Sequence, residues 1–367
     1  MVAKAMLRLR HLKIPAMMAM LLCLLCWQAE GQRPPKQPPK ASNAPEDNGE
    51  TLPVGPKLND KTAENVPLTT FKANVQMVTL YFNVKDKRGA LIPNLKKDDF
   101  RVAEDGKAQT IKYFESESNQ PLTLGMLIDT SGSQMRVLPM EQEVGAQFLR
   151  DVLTPKDLVF VINFDIQVDL LQDYTSDTAL LRRALDKTVI NDGGGSGSGG
   201  IAGAGQGTIP VLRPKGTLLY DAVYLASNEK LSKETGRKAV ILLTDGGDQG
   251  SDVKLEDAIR AAQSAEVICY VIMIADRGMS FGYEGAASGA MHKLADQTGG
   301  RVIDVGNNQV KLRQAFNEIG LELRSQYMVG YVPTNLALDG KYRKIELKTA
   351  NEEYKVQARK GYFAPKE

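Results

Sequence analysis

The side chains with chemistry to offer are carboxylates and hydroxyls. An apolar run, LTLGMLID, ends in Asp129-Thr130-Ser131-Gly132-Ser133, so one carboxylate and two spaced hydroxyls share a loop. A second apolar run, AVILLTD, ends at Asp245 and continues as Gly246-Gly247-Asp248. Between them lies Lys215-Gly216-Thr217-Leu218-Leu219-Tyr220-Asp221, where a glycine and a threonine open a helical stretch. Asp129, Asp245, Ser131, Ser133 and Thr217 are all hard oxygen donors. Such a set suits Mg²⁺, which takes octahedral oxygen ligands and keeps some of its water, with Mn²⁺ or Ca²⁺ as substitutes. Strand-terminal Asp and Ser also cap helices, so Asp129 or Ser131 could instead satisfy backbone amides. Asp248 and Asp252 read as solvated loop charges.

These loops need a scaffold that brings strand ends together. From 120 to 324 strands and helices alternate: a helix through Glu141 to Leu153, the strand LVFVINF, a second strand VDLLQDY, and helical spacing at Leu180, Leu181, Ala184 and Leu185. After AVILLTD come the helix LEDAIRAAQSA, the strand VICYVIMIA, the helix MHKLADQTGG and the strand RVIDV. A last helix is marked by Leu312, Phe316 and Ile319. Near-continuous apolar strands separated by helices predict an α/β fold, doubly wound, with a mostly parallel sheet covered on both faces. Ligands of such folds sit beyond the carboxyl ends of the strands, where Asp129 and Asp245 fall.

Both flanks have a different period. Over 68–118, Val78, Leu80, Phe82 and Val84 alternate with more polar residues, and Asp105-Gly106 between alternating runs is a hairpin signal. Over 325–367, Tyr327, Val329 and Tyr331 alternate, Asp339-Gly340 makes a turn, and Ile345, Leu347, Tyr354 and Val356 continue the pattern. Each flank is small for independent stability. One β-sandwich-like unit built from both ends of the chain is therefore expected, with two separate β appendages as the alternative. Residues 193–207 hold nine glycines in fifteen positions, a flexible surface loop or a flap beside Thr217.

The chain has 367 residues, 43% hydrophobic and 25% charged, enough for more than one core. Lys4, Arg8, Arg10 and Lys13 precede an apolar run to Trp27, with Ala29 and Gly31 at small-residue positions before Gln32. That pattern predicts a signal peptide over 1–31 and export to the periplasm, the cell surface or the exterior. Residues 32–67 hold 8 of the 17 prolines and read as a disordered linker. Without residues 1–31 the chain keeps 42 basic and 43 acidic side chains, so no basic excess suggests a nucleic-acid partner. One cysteine, Cys269, and one histidine, His292, then remain, which rules out an internal disulfide and a multi-histidine zinc site.

Enzymatic readings fare poorly. Ser131 stands where an aspartate phosphoryl-transfer site of D-x-D-x-T type needs its second acid, and no phosphate-binding glycine loop is present. A Ser-His-Asp hydrolase would have to recruit His292 from a distant helix. Metal-assisted hydrolysis is the strongest enzymatic alternative, but it lacks an evident base.

Taken together, D-x-S-x-S at 129–133, Thr217 and Asp245 resemble the von Willebrand factor A domain and its metal-ion-dependent adhesion site, whose five elements occur here in order. The resemblance spans about 200 residues. It implies that Ser131, Ser133 and Thr217 bind the metal directly or nearly so, that Asp129 and Asp245 act largely through water, and that one position stays open for a partner's Asp or Glu carboxylate. Asp221 would support the fold. The flanking segments resemble those of exported von Willebrand A-related proteins of acidobacteria. The implied function is a metal-dependent protein-binding or adhesion module. The alternative is an envelope scaffold whose metal site is structural and whose β unit binds.

Overall fold

The computed structural model describes residues 77–116, 120–191, 216–275 and 284–366. The stretches read above as a signal peptide (1–31) and a linker (32–67), and the glycine tract 193–207, lie outside these residues.

A period of two governs the first strands. β1 (Val78–Lys85) buries Val78, Leu80, Phe82 and Val84. β2 (Phe100–Glu104) turns through Asp105-Gly106 into β3 (Lys107–Gln109), and β4 (Ile111–Ser116) follows. Asp105 and Gly106 both take positive φ, 48° and 77°, which a two-residue hairpin turn demands.

The α/β region then begins with β5 (Leu122–Asp129), buried along its whole length. It continues as α1 (Leu138–Val152), β6 (Leu158–Phe164), β7 (Val168–Thr175), α2 (Thr178–Asp186) and α3 (Leu219–Leu225). Next come β8 (Arg237–Thr244), α4 (Leu255–Ser264), β9 (Val267–Met273), α5 (Glu284–Thr298), β10 (Val302–Asp304) and α6 (Gln309–Arg324). Four strands close the chain: β11 (Tyr327–Tyr331), β12 (Tyr342–Thr349), β13 (Lys355–Ala358) and β14 (Gly361–Phe363).

The central sheet has the order β10-β9-β8-β5-β6-β7. Every neighbouring pair is parallel except β6 and β7. Alternate residues of each strand serve opposite faces. Met126, Ile128, Val161, Ile241 and Leu243 pack with α1, α2 and α6, while Leu127, Ile162, Val240, Leu242 and Val271 pack with α3, α4 and α5. From β5 the chain builds outward to β7, then returns and builds the other way from β8. The strand order therefore reverses between the parallel strands β5 and β8, the place where folds of this kind have a crevice at the carboxyl edge.

The flanking strands form two antiparallel sheets, β13-β1-β11-β4 and β14-β12-β2-β3. Each sheet takes strands from both sides of the α/β region. Their shared core includes Phe82, Phe100 and Tyr327, with Phe82 and Phe100 edge to face at 5.1 Å. Gly340, at φ 68°, lies where the chain crosses from one sheet to the other. The two regions are bonded through Glu322 near the end of α6, whose carboxylate accepts from Lys85 on β1 at 2.8 Å and Arg301 at 2.7 Å. Among the described residues no helix is long and apolar enough to cross a membrane.

Candidate metal centre

Register brings the first acid to the crevice. Ile128 stands beside Leu243, so Asp129 at the end of β5 stands beside Thr244 at the end of β8. Thr244 Oγ1 donates to Asp129 Oδ2 at 2.6 Å, and the Ser131 amide donates to Asp129 Oδ1 at 3.0 Å. That short turn leaves Ser131 Oγ 3.0 Å from Ser133 Oγ. On the facing loop, Asp245 Oδ1 accepts from the Gly247 amide at 3.0 Å. Gly246 between them has φ 87°, and a Cβ there would sit 3.0 Å from Met273 Cε, so glycine is required at this bend.

Thr217 joins through its backbone. Its carbonyl accepts from the Gln249 amide at 2.8 Å, and the Gly216 amide donates to the Gln249 carbonyl at 2.6 Å. This double link ties the threonine to the loop that follows Asp245. The Leu218 amide bonds the Asp165 carbonyl at 2.8 Å, and Thr130 Oγ1 donates to Asp165 Oδ2 at 2.9 Å. The loops after β5, β6 and β8 and the segment entering α3 are thus fastened to one another.

Among the described residues, the charges that act on the buried acids Asp129 and Glu141 are themselves acidic. Asp129 is fully buried, and burial first, then the neighbouring charge of Asp245, pushes its pKa up to about 7. The hydrogen bonds from Ser131 and Thr244 offset only part of this. Glu141, in the first turn of α1, is 1% exposed, and neither of its carboxylate oxygens has a hydrogen-bond partner among the described residues. Burial, and then repulsion from Asp129 and Asp245, holds its carboxyl well above the usual range. A buried acid with neither donor nor cation is expensive. A bound divalent cation would relieve that cost, and the oxygen-only donors fit a hard ion. Among the described residues no three His, Cys, Asp or Glu side chains are grouped closely enough to hold a metal alone. Hydroxyls would have to complete any ligand set.

Of the five residues singled out by sequence, Asp129, Ser131 and Ser133 share one bonded loop, Asp245 faces Asp129 by charge, and Thr217 is fastened to the Asp245 loop. Sequence reasoning missed Thr244, Thr130, Asp165 and Glu141. Glu141 left a signal, since it falls on the helical stripe of Leu138, Gly145 and Phe148, all buried. Asp248 corrects an expectation. Its Oδ1 accepts from Ser251 Oγ at 2.6 Å and the Tyr220 amide at 3.1 Å, so it is a bonded loop acid and not a solvated charge. Asp221 accepts from the amides of Asp252 and Val253, at 3.1 and 2.9 Å, and so braces the same loop. His292 is exposed on α5, and Cys269 is buried in β9 with its thiol pushed up to about 12 by burial.

A scan against protein-family models and a search of curated proteins both return no match. Among solved structures the chain is similar to the conserved hypothetical protein BatB of Bacteroides thetaiotaomicron, at 17% identity and a TM-score of 0.41, over 56% of this chain and 100% of that one. It is also similar to a von Willebrand factor type A protein of Catenulispora acidiphila, at 13% identity and a TM-score of 0.42, over 80% and 75% of the two chains. A third likeness is to proximal thread matrix protein 1 of the mussel byssus, whose structure has a zinc-occupied metal-ion-dependent adhesion site. There the identity is 18% and the TM-score 0.42, over 59% of this chain and 48% of the byssus protein, about half its length. Such distant likenesses carry no functional argument. The fold itself, read from its own strand order, is a doubly wound α/β fold with a mostly parallel sheet, extended by antiparallel sheets.

Proposed function

We propose that the chain is an exported, non-enzymatic binding module of von Willebrand A type that captures a protein partner through a divalent cation. Asp129, Ser131, Ser133, Thr217 and Asp245 would hold the ion, with Mg²⁺ as the expected occupant and Mn²⁺ or Ca²⁺ as substitutes. When bound, the ion supplies an open coordination position for an Asp or Glu carboxylate of the partner. The chain's own residues then have distinct tasks. Thr244 and the Ser131 amide hold the Asp129 carboxylate in one orientation, and the Gly246 bend sets the Asp245 loop opposite it. The loops around 217 and 249 form the rim that would select the partner.

The observation that carries this reading is the placing of Asp129 and Asp245 at the ends of the two strands between which the strand order reverses, with Asp245 the charge that acts on Asp129 among the described residues. Its test is thermal unfolding of the chain in chelator and in rising Mg²⁺, beside Asp245→Ala. A ligand specific to the folded state stabilises it by about 2.7 kcal/mol at a hundredfold excess over its dissociation constant. The expected result is a saturable rise in the wild type and none in the variant. Equal rises in both proteins would contradict the assignment.

A further inference from the structure

We infer that Glu141 is a third acid of the cation site, standing behind the ligands and strengthening divalent binding by its charge. The inference rests on the reading above and concerns a residue outside the five-element motif. Glu141 is buried and unpartnered, and its place in the fold directs it toward the site. α1 packs on the face of β5, where a Cβ on Gly145 would lie 3.7 Å from Met126 Sδ. α1 follows β5 and runs back along it, so Glu141, one turn earlier, lies nearer the carboxyl edge that carries Asp129. Among the described residues, the charged groups whose fields reach Glu141 are Asp129 and Asp245.

Local donors do not explain a buried acid here. The amides of Met140 and Glu141 are already given to the Val137 carbonyl, at 2.9 and 3.1 Å. Gln142, the next residue, turns its amide to Leu185 and Thr188 instead. The Gln134 side chain, buried on the loop before α1, spends its Nε2 on the Ile274 carbonyl and leaves its Oε1 unpartnered among the described residues. Gln134 Oε1 and both Glu141 carboxylate oxygens are thus buried acceptors without donors among the described residues, and unmatched acceptors favour a cation and its water. Because no group of three acids is close enough to ligate alone, Glu141 acts through its field and through water.

The test is calorimetric titration of Mg²⁺ into the metal-free full chain, wild type beside Glu141→Gln and Glu141→Asp, with unfolding of each protein in chelator. Gln keeps the side chain's shape and removes its charge. Glu141→Gln is expected to bind Mg²⁺ about tenfold more weakly, within the range seen for outer-shell partners of metal sites, while its melting temperature in chelator rises. Glu141→Asp, which keeps the charge, is expected to retain most of the affinity. A merely structural role would move the melting temperature and leave the Mg²⁺ affinity alone. Unchanged affinity in Glu141→Gln would overturn the role of Glu141 and leave the five-residue site standing. An absence of Mg²⁺ binding in the wild type would overturn both.

Discussion

The two edges of the central sheet treat buried acids in opposite ways. At the amino edge, Asp157 stands just before β6 and is saturated. Its carboxylate accepts from the Leu122 amide at 2.9 Å, from the amide and hydroxyl of Thr154 at 2.8 Å each, and from the Arg324 guanidinium. Burial alone would raise its pKa, but these bonds outweigh it and hold the carboxyl below its usual value. At the carboxyl edge, Asp129 is raised by burial and by Asp245, and Glu141 has no hydrogen-bond partner among the described residues. The same chemistry is spent on folding at one edge and left unspent at the other. Buried acids with raised pKa values, in a crevice at a reversal of strand order, are the features on which the proposed cation site rests.

The largest effect is expected from the saturated edge. Asp157→Ala removes Arg324's ion-pair partner, leaving it only the Val152 carbonyl among the described residues, and frees the Leu122 and Thr154 amides, and should cost about 3 kcal/mol or more. Denaturant unfolding should report that loss equally with and without Mg²⁺. A loss that Mg²⁺ repaired would erase the distinction between the edges.

The pH dependence should have opposite signs at the two edges. Asp157 has a lowered folded pKa, so its contribution is present above the unfolded value near 4 and is lost as pH falls through the folded pKa. Asp129 has a folded pKa of about 7 against an ordinary value of 3.8. In chelator the unfolded state releases that proton first, so stability should fall as pH rises from about 4 to about 7. The shift corresponds to on the order of 4 kcal/mol. Unfolding of the metal-free protein at pH 5 and 8 checks this, and Asp129→Asn should flatten the slope.

A smaller effect sharpens the comparison at the Asp245 bend. Gly246→Ala forces a side chain onto φ 87° and against Met273, which should cost about 1–2 kcal/mol. Because the bend sets Asp245, Mg²⁺ affinity should fall as well. A variant that lost stability but bound Mg²⁺ as tightly as wild type would show that the bend serves only the fold.

Much of the α/β region was legible because its signals are local. The strand read from AVILLTD is β8, and the last helix, marked by Leu312, Phe316 and Ile319, is α6. Asp105-Gly106 is a hairpin turn because the chemistry of positive φ is written in two adjacent residues. The partners of the flanking strands were not legible. β1 pairs with β11 and β13, more than 240 residues away, and such pairings leave no mark in either sequence. At the site, Asp129 and Ser131 could be placed because they end an apolar strand. Glu141 was passed over as an ordinary helix residue. Its meaning depends on Gly145 packing against Met126, which only the folded chain displays.

The most direct measurement is an anomalous difference map from crystals grown in Mn²⁺ and collected above the manganese edge. A single strong peak bounded by Asp129, Ser131, Ser133, Thr217 and Asp245 is the expected result. A metal-loaded crystal with no peak there, or with its peak at another acid cluster, would contradict the assignment of this crevice as the cation site.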